Sequence, residues 1–147
     1  MLADKAGIAQ VIPHAGSMCL LDGVLECDAQ RIRCISGSHR NVDNPMRSGD
    51  ELSALCGIEY AAQAMAVHGV LGGQLDRKPR AGYLASLRDV TCNAMRLDTL
   101  TDDLVIDAEK LMGDEARVIY QFSIHAGQNE IISGRATVVL DTDKAAA

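Results

Sequence analysis

The stretch from Leu52 to Leu75 restricts the fold of this chain more than any other feature. It carries a single formal charge, Glu59, in an otherwise apolar and small-residue run. A segment of this kind is typical of a helix that other structure wraps on nearly every face. A carboxylate inside it is costly when buried without a partner, or stays protonated at neutral pH. Glu59 is therefore the first candidate for chemistry, unless it reaches solvent at a helix edge or meets an arginine from elsewhere.

Length and charge narrow the classes of function. A chain of 147 residues is expected to form one domain, and a net charge of −6 argues against a nucleic-acid partner, whose phosphates need a basic face. The run from 52 to 75 is long enough to cross a bilayer, but Glu59, Gln63 and His68 within it argue against a membrane span. We expect neither nucleic acid nor membrane as a partner.

The cysteines and histidines predict no metal site and no cofactor. Five cysteines show no paired spacing of the kind that binds zinc, and four scattered histidines show no ligand spacing. No glycine-rich phosphate loop is present. Reduced, buried thiols in a cytoplasmic protein are the expected state.

The order of predicted elements indicates the fold class. Period-two alternation predicts a hairpin from residues 24–27 and 31–36, and the spacing of Ser48 and Glu51 matches a capping box that places a helix start at Asp50. This helix is expected to end near residues 72–73, and four strands follow it at 83–95, 104–112, 117–124 and 130–140. A single domain (1–147) in the α+β class results, with one long central helix wrapped by a curled antiparallel sheet. Residues 1–10 and 141–147 are expected to be flexible.

Two motifs resemble those of a known family, the hotdog-fold 3-hydroxyacyl-(acyl-carrier-protein) dehydratases. Residues 11–22, Val-Ile-Pro-His-Ala-Gly-Ser-Met-Cys-Leu-Leu-Asp, are similar to the opening Pro-His motif of that family. Residues 57–64, Gly-Ile-Glu-Tyr-Ala-Ala-Gln-Ala, match its Glu-x-x-Ala-Gln helix signature. The resemblance covers roughly residues 10 to 140. It is strongest to a divergent branch, the dehydratase-like proteins of aryl polyene and related fatty-acid-type gene clusters.

The resemblance implies a dimer whose sheets join edge to edge, with a helix acid of one chain meeting a histidine of the other. Glu59 matches the catalytic acid. Typical members carry their histidine fourteen residues before that acid, where this chain has Pro45. His14, in the opening motif, and His39, in the polar loop before the helix, are therefore both candidates for the catalytic histidine.

The implied reaction removes a proton from C2 and the hydroxyl from C3 of a 3-hydroxyacyl thioester, which needs one base and one acid. A buried glutamate and a histidine supply both. The thioester oxygen needs N–H donors, and a helix that starts at Asp50 would offer those of Gly49, Asp50 and Glu51. Gln63 lies one turn beyond Glu59 and is a candidate to hold Glu59 or a water, although such spacing is also common without function.

Three functions remain open at this stage. The first is dehydration of a 3-hydroxyacyl thioester bound to acyl carrier protein or coenzyme A. The second is a hotdog thioesterase, in which the helix carboxylate activates water. The third is a non-catalytic subunit that supports an active hotdog partner, and the missing loop histidine favours it. Both a homodimer and a heterodimer fit the sequence.

Overall fold

The computed structural model describes residues 1–12, 18–72, 82–114 and 116–140. The chain begins with strand β1 (Ala3–Asp4), helix α1 (Lys5–Ala9) and the hairpin β2 (Gly23–Cys27) and β3 (Arg31–Ser36). After the hairpin come two 3₁₀ turns (Ser38–Arg40 and Ala54–Cys56) and helix α2 (Gly57–Leu71). The last four strands are β4 (Gly82–Cys92), β5 (Leu104–Gly113), β6 (Arg117–Ala126) and β7 (Asn129–Leu140).

One antiparallel sheet contains all seven described strands, in the order β1-β2-β3-β5-β6-β7-β4. Alternation along the strands explains its two faces. On β3, Ile32 and Cys34 are buried, whereas Arg31 and Arg33 face outward and pair with acids of β5. The predicted hairpin and the strands after the helix are confirmed, and the sheet curls around one central helix.

The N-terminal residues form more structure than their sequence indicated. β1 pairs with β2, and the side chain of Asp4 caps α1 by accepting a hydrogen bond from the N–H of Gly7 at 2.9 Å. Residues 141–147, which were expected to be flexible, lie outside the described part of the chain.

Helix α2 begins at Gly57, seven residues after the predicted start at Asp50, which is therefore wrong. Ser48 and Glu51 do form a local pair, but they close a turn through two backbone hydrogen bonds and cap no helix. The next residue, Leu52, donates its N–H to Asp98, a contact across 46 residues that holds the chain extended. The side chain of Ser53 then accepts from the N–H of Leu55 and starts the 3₁₀ turn that leads into α2.

Helix α2 packs on β3, β5 and β6, and its start presses closely against the sheet. A Cβ atom added to Gly57 would lie 3.0 Å from Ile132 and 3.1 Å from Ile124, so glycine is what allows this approach. By length and composition alone the segment Ala54–Leu71 could also cross a membrane, a property that core helices share.

The sheet encloses only one side of α2, which corrects the expectation that structure surrounds it on nearly every face. Residues on the other side are half-buried or exposed: Leu55, Ile58, Glu59, Ala62, Ala66, Gly69 and Val70. At 100° per residue these positions share one side of the helix, which we call the open face.

All five cysteines are free thiols. Cys19 and Cys34 are buried, Cys27 and Cys56 are half-buried, and Cys92 is exposed. Burial raises the pKa of the Cys34 thiol to about 12, so this side chain is an uncharged part of the core at neutral pH.

Candidate active site

Glu59 lies in the first turn of α2 and is half-buried on the open face. Its neighbours there are apolar or small, and it is the only charged residue between Ala54 and Leu71. The side chain thus reaches the helix edge, as one structural alternative anticipated, but it does so within an apolar surface. A carboxyl group in such surroundings can exchange a proton with a substrate that covers it.

Gln63 is buried, and its amide fastens the chain near residue 20 to α2. Its Oε1 accepts from the N–H of Leu20 at 2.9 Å, and its Nε2 donates to the carbonyl of Met18 at 2.8 Å. These two bonds occupy the side-chain oxygen and one of the two amide hydrogens. A direct role of Gln63 in holding Glu59, a water or a substrate stays a prediction, whereas its anchoring of Met18 and Leu20 is observed.

The segment that Gln63 holds is the second half of the opening Pro-His motif, residues 11–22. His14 and the rest of residues 13–17 lie outside the described part of the chain. The motif is anchored on both sides of residues 13–17, since Ile12 and Leu20 both belong to the hydrophobic core.

A buried polar cluster, which no pattern in the sequence predicted, also holds this segment. The hydroxyls of Ser36 and Ser38 both donate to the carbonyl of Leu20, at 2.5 and 2.8 Å. Tyr60 joins the cluster through Ser38 at 2.8 Å and through the amide of Asn44 at 3.1 Å. Burial raises the pKa of the Tyr60 phenol, which therefore stays protonated. The signal in the sequence was a tyrosine inside an apolar helix, because a buried hydroxyl needs partners.

His39 is fully buried, although it belongs to the polar loop before the helix. The 3₁₀ turn Ser38–Arg40 folds the ring against the loop before β5, where Nε2 donates to the carbonyl of Leu100 at 3.1 Å. Burial, with a smaller effect of the neighbouring Arg40 charge, lowers the pKa of His39. The ring is therefore neutral at pH 7, with the proton on Nε2 and a lone pair on Nδ1.

The Nδ1 atom of His39 is buried without a hydrogen-bond partner in the described residues. Within those residues no contact joins His39 to Glu59. A catalytic role of His39 stays a prediction.

The predicted oxyanion donors lie in an exposed turn, formed by Gly49, Asp50 and Glu51. They are not at a helix start, since α2 begins at Gly57. The N–H of Glu51 is already bonded to the carbonyl of Ser48 at 3.2 Å, and Gly49 adopts a φ of +63°, which suits glycine. The basis for predicting these three residues as oxyanion donors, a helix N-terminus at Asp50, is therefore wrong.

An ion pair stabilises the structure after this turn. Arg96 contacts Asp98 at 2.5 Å, and the Arg96 guanidinium together with the N–H of Leu52 holds the pKa of Asp98 well below its usual range. Asp98 is therefore ionised and fixes Leu52 at the entry to the 3₁₀ turn.

The two remaining histidines have structural contacts. His68 is buried, donates from Nε2 to the carbonyl of Asp28 at 2.8 Å and accepts at Nδ1 from the Tyr120 hydroxyl at 2.7 Å, as expected for a core residue. His125 lies near the end of β6, 4.0 Å from Glu130. The described residues contain no cluster of His, Cys, Asp and Glu that could hold a metal ion.

Comparison with known proteins identifies the family. The family model described as ApeP-like, ApeP dehydratase, matches residues 6–147. The chain belongs to the ApeP-like family. A comparison with curated protein sequences found no match. The dehydratase-like hotdog branch to which the motifs pointed is thus confirmed for this ApeP-like chain.

Solved structures that resemble the ApeP-like chain share its hotdog fold. A chain of the dehydratase heterocomplex ApeI:P from Xenorhabdus doucetiae is 23% identical, with a TM-score of 0.79 and coverage of 92% of this chain and 91% of that one. Zebra fish thioesterase superfamily member 2 is 14% identical, with a TM-score of 0.63 and coverage of 92% and 94%. A hypothetical thioesterase from Streptococcus pneumoniae, solved with coenzyme A, is 11% identical, with a TM-score of 0.56 and coverage of 80% and 83%.

Proposed function

We propose that this ApeP-like protein takes part in dehydrating a 3-hydroxyacyl thioester to the trans-2-enoyl thioester in fatty-acid-type or polyene-type biosynthesis. Glu59 carries the proposal: it is the one carboxylate of helix α2 and lies half-buried on the open face, in a chain of a dehydratase family. A substrate acyl chain is apolar and its 3-hydroxyl is polar, so a surface with one acid among aliphatic side chains suits both. We expect the thioester to be carried by acyl carrier protein or coenzyme A, and the protein to act in the cytoplasm without a cofactor.

In this proposal Glu59 and one histidine share the two proton transfers. One takes the C2 proton and the other protonates the hydroxyl as it leaves C3 as water. We favour His14 over His39 as that histidine. Gln63 and the serine cluster anchor the chain just after His14 to the same helix that carries Glu59, whereas the His39 ring is enclosed by its own protomer.

The proposed assembly is a dimer of hotdog chains joined at the edge strand β4. Residues 84–92 are all exposed, and Leu84, Leu87 and Val90 are apolar yet 39%, 36% and 38% accessible. Helix α2 packs mainly over β3, β5 and β6. An edge strand with exposed apolar residues suits pairing with another chain. Since the similar solved structure is a heterocomplex, we favour a heterodimer over a homodimer.

A second candidate function is that of a non-catalytic subunit supporting an active hotdog partner. Two observations favour it. Pro45 stands fourteen residues before Glu59, where typical dehydratases carry their histidine. His39, six residues before Pro45, is buried, and no contact within the described residues joins it to Glu59. In that case the active histidine and acid would both come from the partner.

The test separates these functions by their products. The protein is incubated alone with crotonyl, 3-hydroxybutyryl and saturated butyryl thioesters of coenzyme A and of acyl carrier protein, and then together with a co-expressed hotdog dehydratase. We expect interconversion of the first two thioesters and no free acid. Hydrolysis of all three thioesters would instead show a thioesterase and overturn the proposal.

Variants of the two histidines then identify the catalytic one. General acid–base catalysis contributes about 100-fold or more, so His14→Ala is expected to lower the rate by at least about 100-fold while His39→Ala acts mainly on stability. Full activity of the complex with each of the three variants, His14→Ala, His39→Ala and Glu59→Gln, would mean that the catalytic pair is not in this chain. The non-catalytic role would then be correct.

A further inference from the structure

We propose that two arginines, Arg88 and Arg135, make this chain a poor partner for a second copy of itself. They select instead an edge strand that carries aspartate or glutamate on the outer face of its sheet. This inference rests on the β4 assembly proposed above and specifies the chemistry of the partner.

The outer face of the sheet carries a row of polar residues that crosses five strands. From β3 to β4, neighbours in register are Arg31, Glu109, Gln121, Arg135 and Arg88. At one end Arg31 contacts Glu109 at 3.1 Å, so those charges cancel. At the other end, on the exposed edge, two arginines lie directly opposite each other, and both are exposed.

Their orientation follows from the residues beside them. Ala136 is buried, and a Cβ atom added to Gly134 would contact Phe122 and Val90, so both neighbours of Arg135 face the interior. Arg135 and its partner Arg88 therefore face outward.

This pair has no compensating acid within the described residues. Neither guanidinium takes part in an ion pair or hydrogen bond there. Asp89 follows Arg88 but lies in the irregular stretch between Arg88 and Thr91, with a φ of +54°. Like charges directly opposite each other destabilise a strand pair. The edge of β4 is thus locally basic in a chain whose net charge is −6.

Pairing β4 with a second copy would make this repulsion worse. In a two-fold antiparallel pairing centred on Leu87, Arg88 lies opposite Ser86 of the second copy. The two Arg88 side chains then become diagonal neighbours at about 7–8 Å, with an Arg135 behind each. Four positive charges would share one face. A strand with carboxylates at the matching outward positions would remove the repulsion and cover the same apolar residues, Leu87 and Val90.

A charge-reversed copy of the chain provides a probe for such a partner. Wild-type protein is mixed with the Arg88→Glu variant, and the populations of both homodimers and of the mixed dimer are measured by native mass spectrometry with one chain isotope-labelled. We expect the mixed dimer to be favoured about tenfold over the statistical mixture at low salt. The preference should fall as added salt screens the charges.

Arg31→Glu is the matched control, because it reverses an arginine of the same row far from the β4 edge. It should give a statistical mixture with wild type. A statistical mixture with Arg88→Glu as well would overturn the role of the arginines and leave the β4 assembly intact. The absence of any dimer in every mixture would overturn both, and neither result depends on the activity measurements.

Discussion

The two sides of helix α2 differ in composition and in what surrounds them. The side against the sheet, which we call the closed side, carries Tyr60, Ala64 and His68. All three are buried, and the polar side-chain atoms of Tyr60 and His68 are hydrogen-bonded. The open face carries Glu59 among small and aliphatic residues, and Leu55 at its start is 58% exposed. Contacts within one chain bury the first side, whereas the second side is half-buried or exposed. We therefore expect changes on the first side to act on stability and changes at Glu59 to act on the proposed reaction.

The largest effect is expected on the open face. Glu59→Gln removes the acid and keeps its size, so it should lower the dehydration rate of the complete complex by at least about 100-fold without loss of folding. Steady-state turnover measures the dehydration rate, and circular dichroism measures folding. Ala66→Ser, on the same face without a proposed role, is the control. Full activity in the glutamine variant would remove Glu59 from the mechanism.

Gln63 tests the closed side. Gln63→Leu leaves the N–H of Leu20 and the carbonyl of Met18 without their partner, which should lower the free energy of unfolding by about 2 kcal/mol. Urea denaturation measures the change, and Ala66→Gln on the open face is the control, expected within about 0.5 kcal/mol of wild type. Equal effects of the two variants would contradict the difference between the sides.

Acid should destabilise the closed side through its buried histidine. Burial lowers the pKa of His68 below its ordinary value of 6.5, so below that pH the unfolded chain binds a proton that the folded chain does not. The contribution of neutral His68 to the free energy of unfolding is therefore fully present above about pH 6.5. It falls with decreasing pH, by up to about 1.4 kcal/mol per pH unit, until the pKa of His68 in the folded chain is reached. Urea denaturation between pH 5 and 7.5 measures this slope.

The matched variant is His68→Gln, which should flatten the slope. A smaller dependence of stability on pH should remain in this variant, because burial also lowers the pKa of His39. An unchanged slope in the variant would show that acid acts elsewhere.

Two glycines of α2 give the smallest effects, with opposite signs. Gly57→Ala places a methyl group 3.0 Å from Ile132, and we expect it to lower the free energy of unfolding by about 1 kcal/mol. Gly69→Ala meets nothing within 4 Å and should raise it by about 0.5 kcal/mol, since alanine favours a helix. Thermal unfolding of the isolated chain compares them. Effects of the same sign would contradict an open face at Gly69.

Much of the fold was predictable because its signals are local. Alternation in residues 31–36 and 104–112 reports on one strand and its two faces, and the sheet follows these patterns closely. The helix start was missed because its cause is distant: Asp98 binds the N–H of Leu52 and Arg96 holds Asp98. The apparent capping box of Ser48 and Glu51 could not reveal that competition.

The candidate site was predictable in part. Glu59 stood out as one charge in an apolar run, which needs only composition to detect. The bonds of Gln63 and the serine cluster join residues that are 16 to 45 positions apart, so no spacing rule could find them. The burial of His39 likewise depends on a loop 61 residues further along the chain.

The sequence by itself determined the element types, the single central helix and the identity of its one acid, because hydrophobic periodicity and charge act over a few residues. Tertiary structure alone decided where that helix begins, which of its sides stays open and which polar groups hold the chain beside it. Those outcomes depend on contacts between distant segments. Such contacts compete with local preferences, and a short sequence pattern does not show which of them prevails.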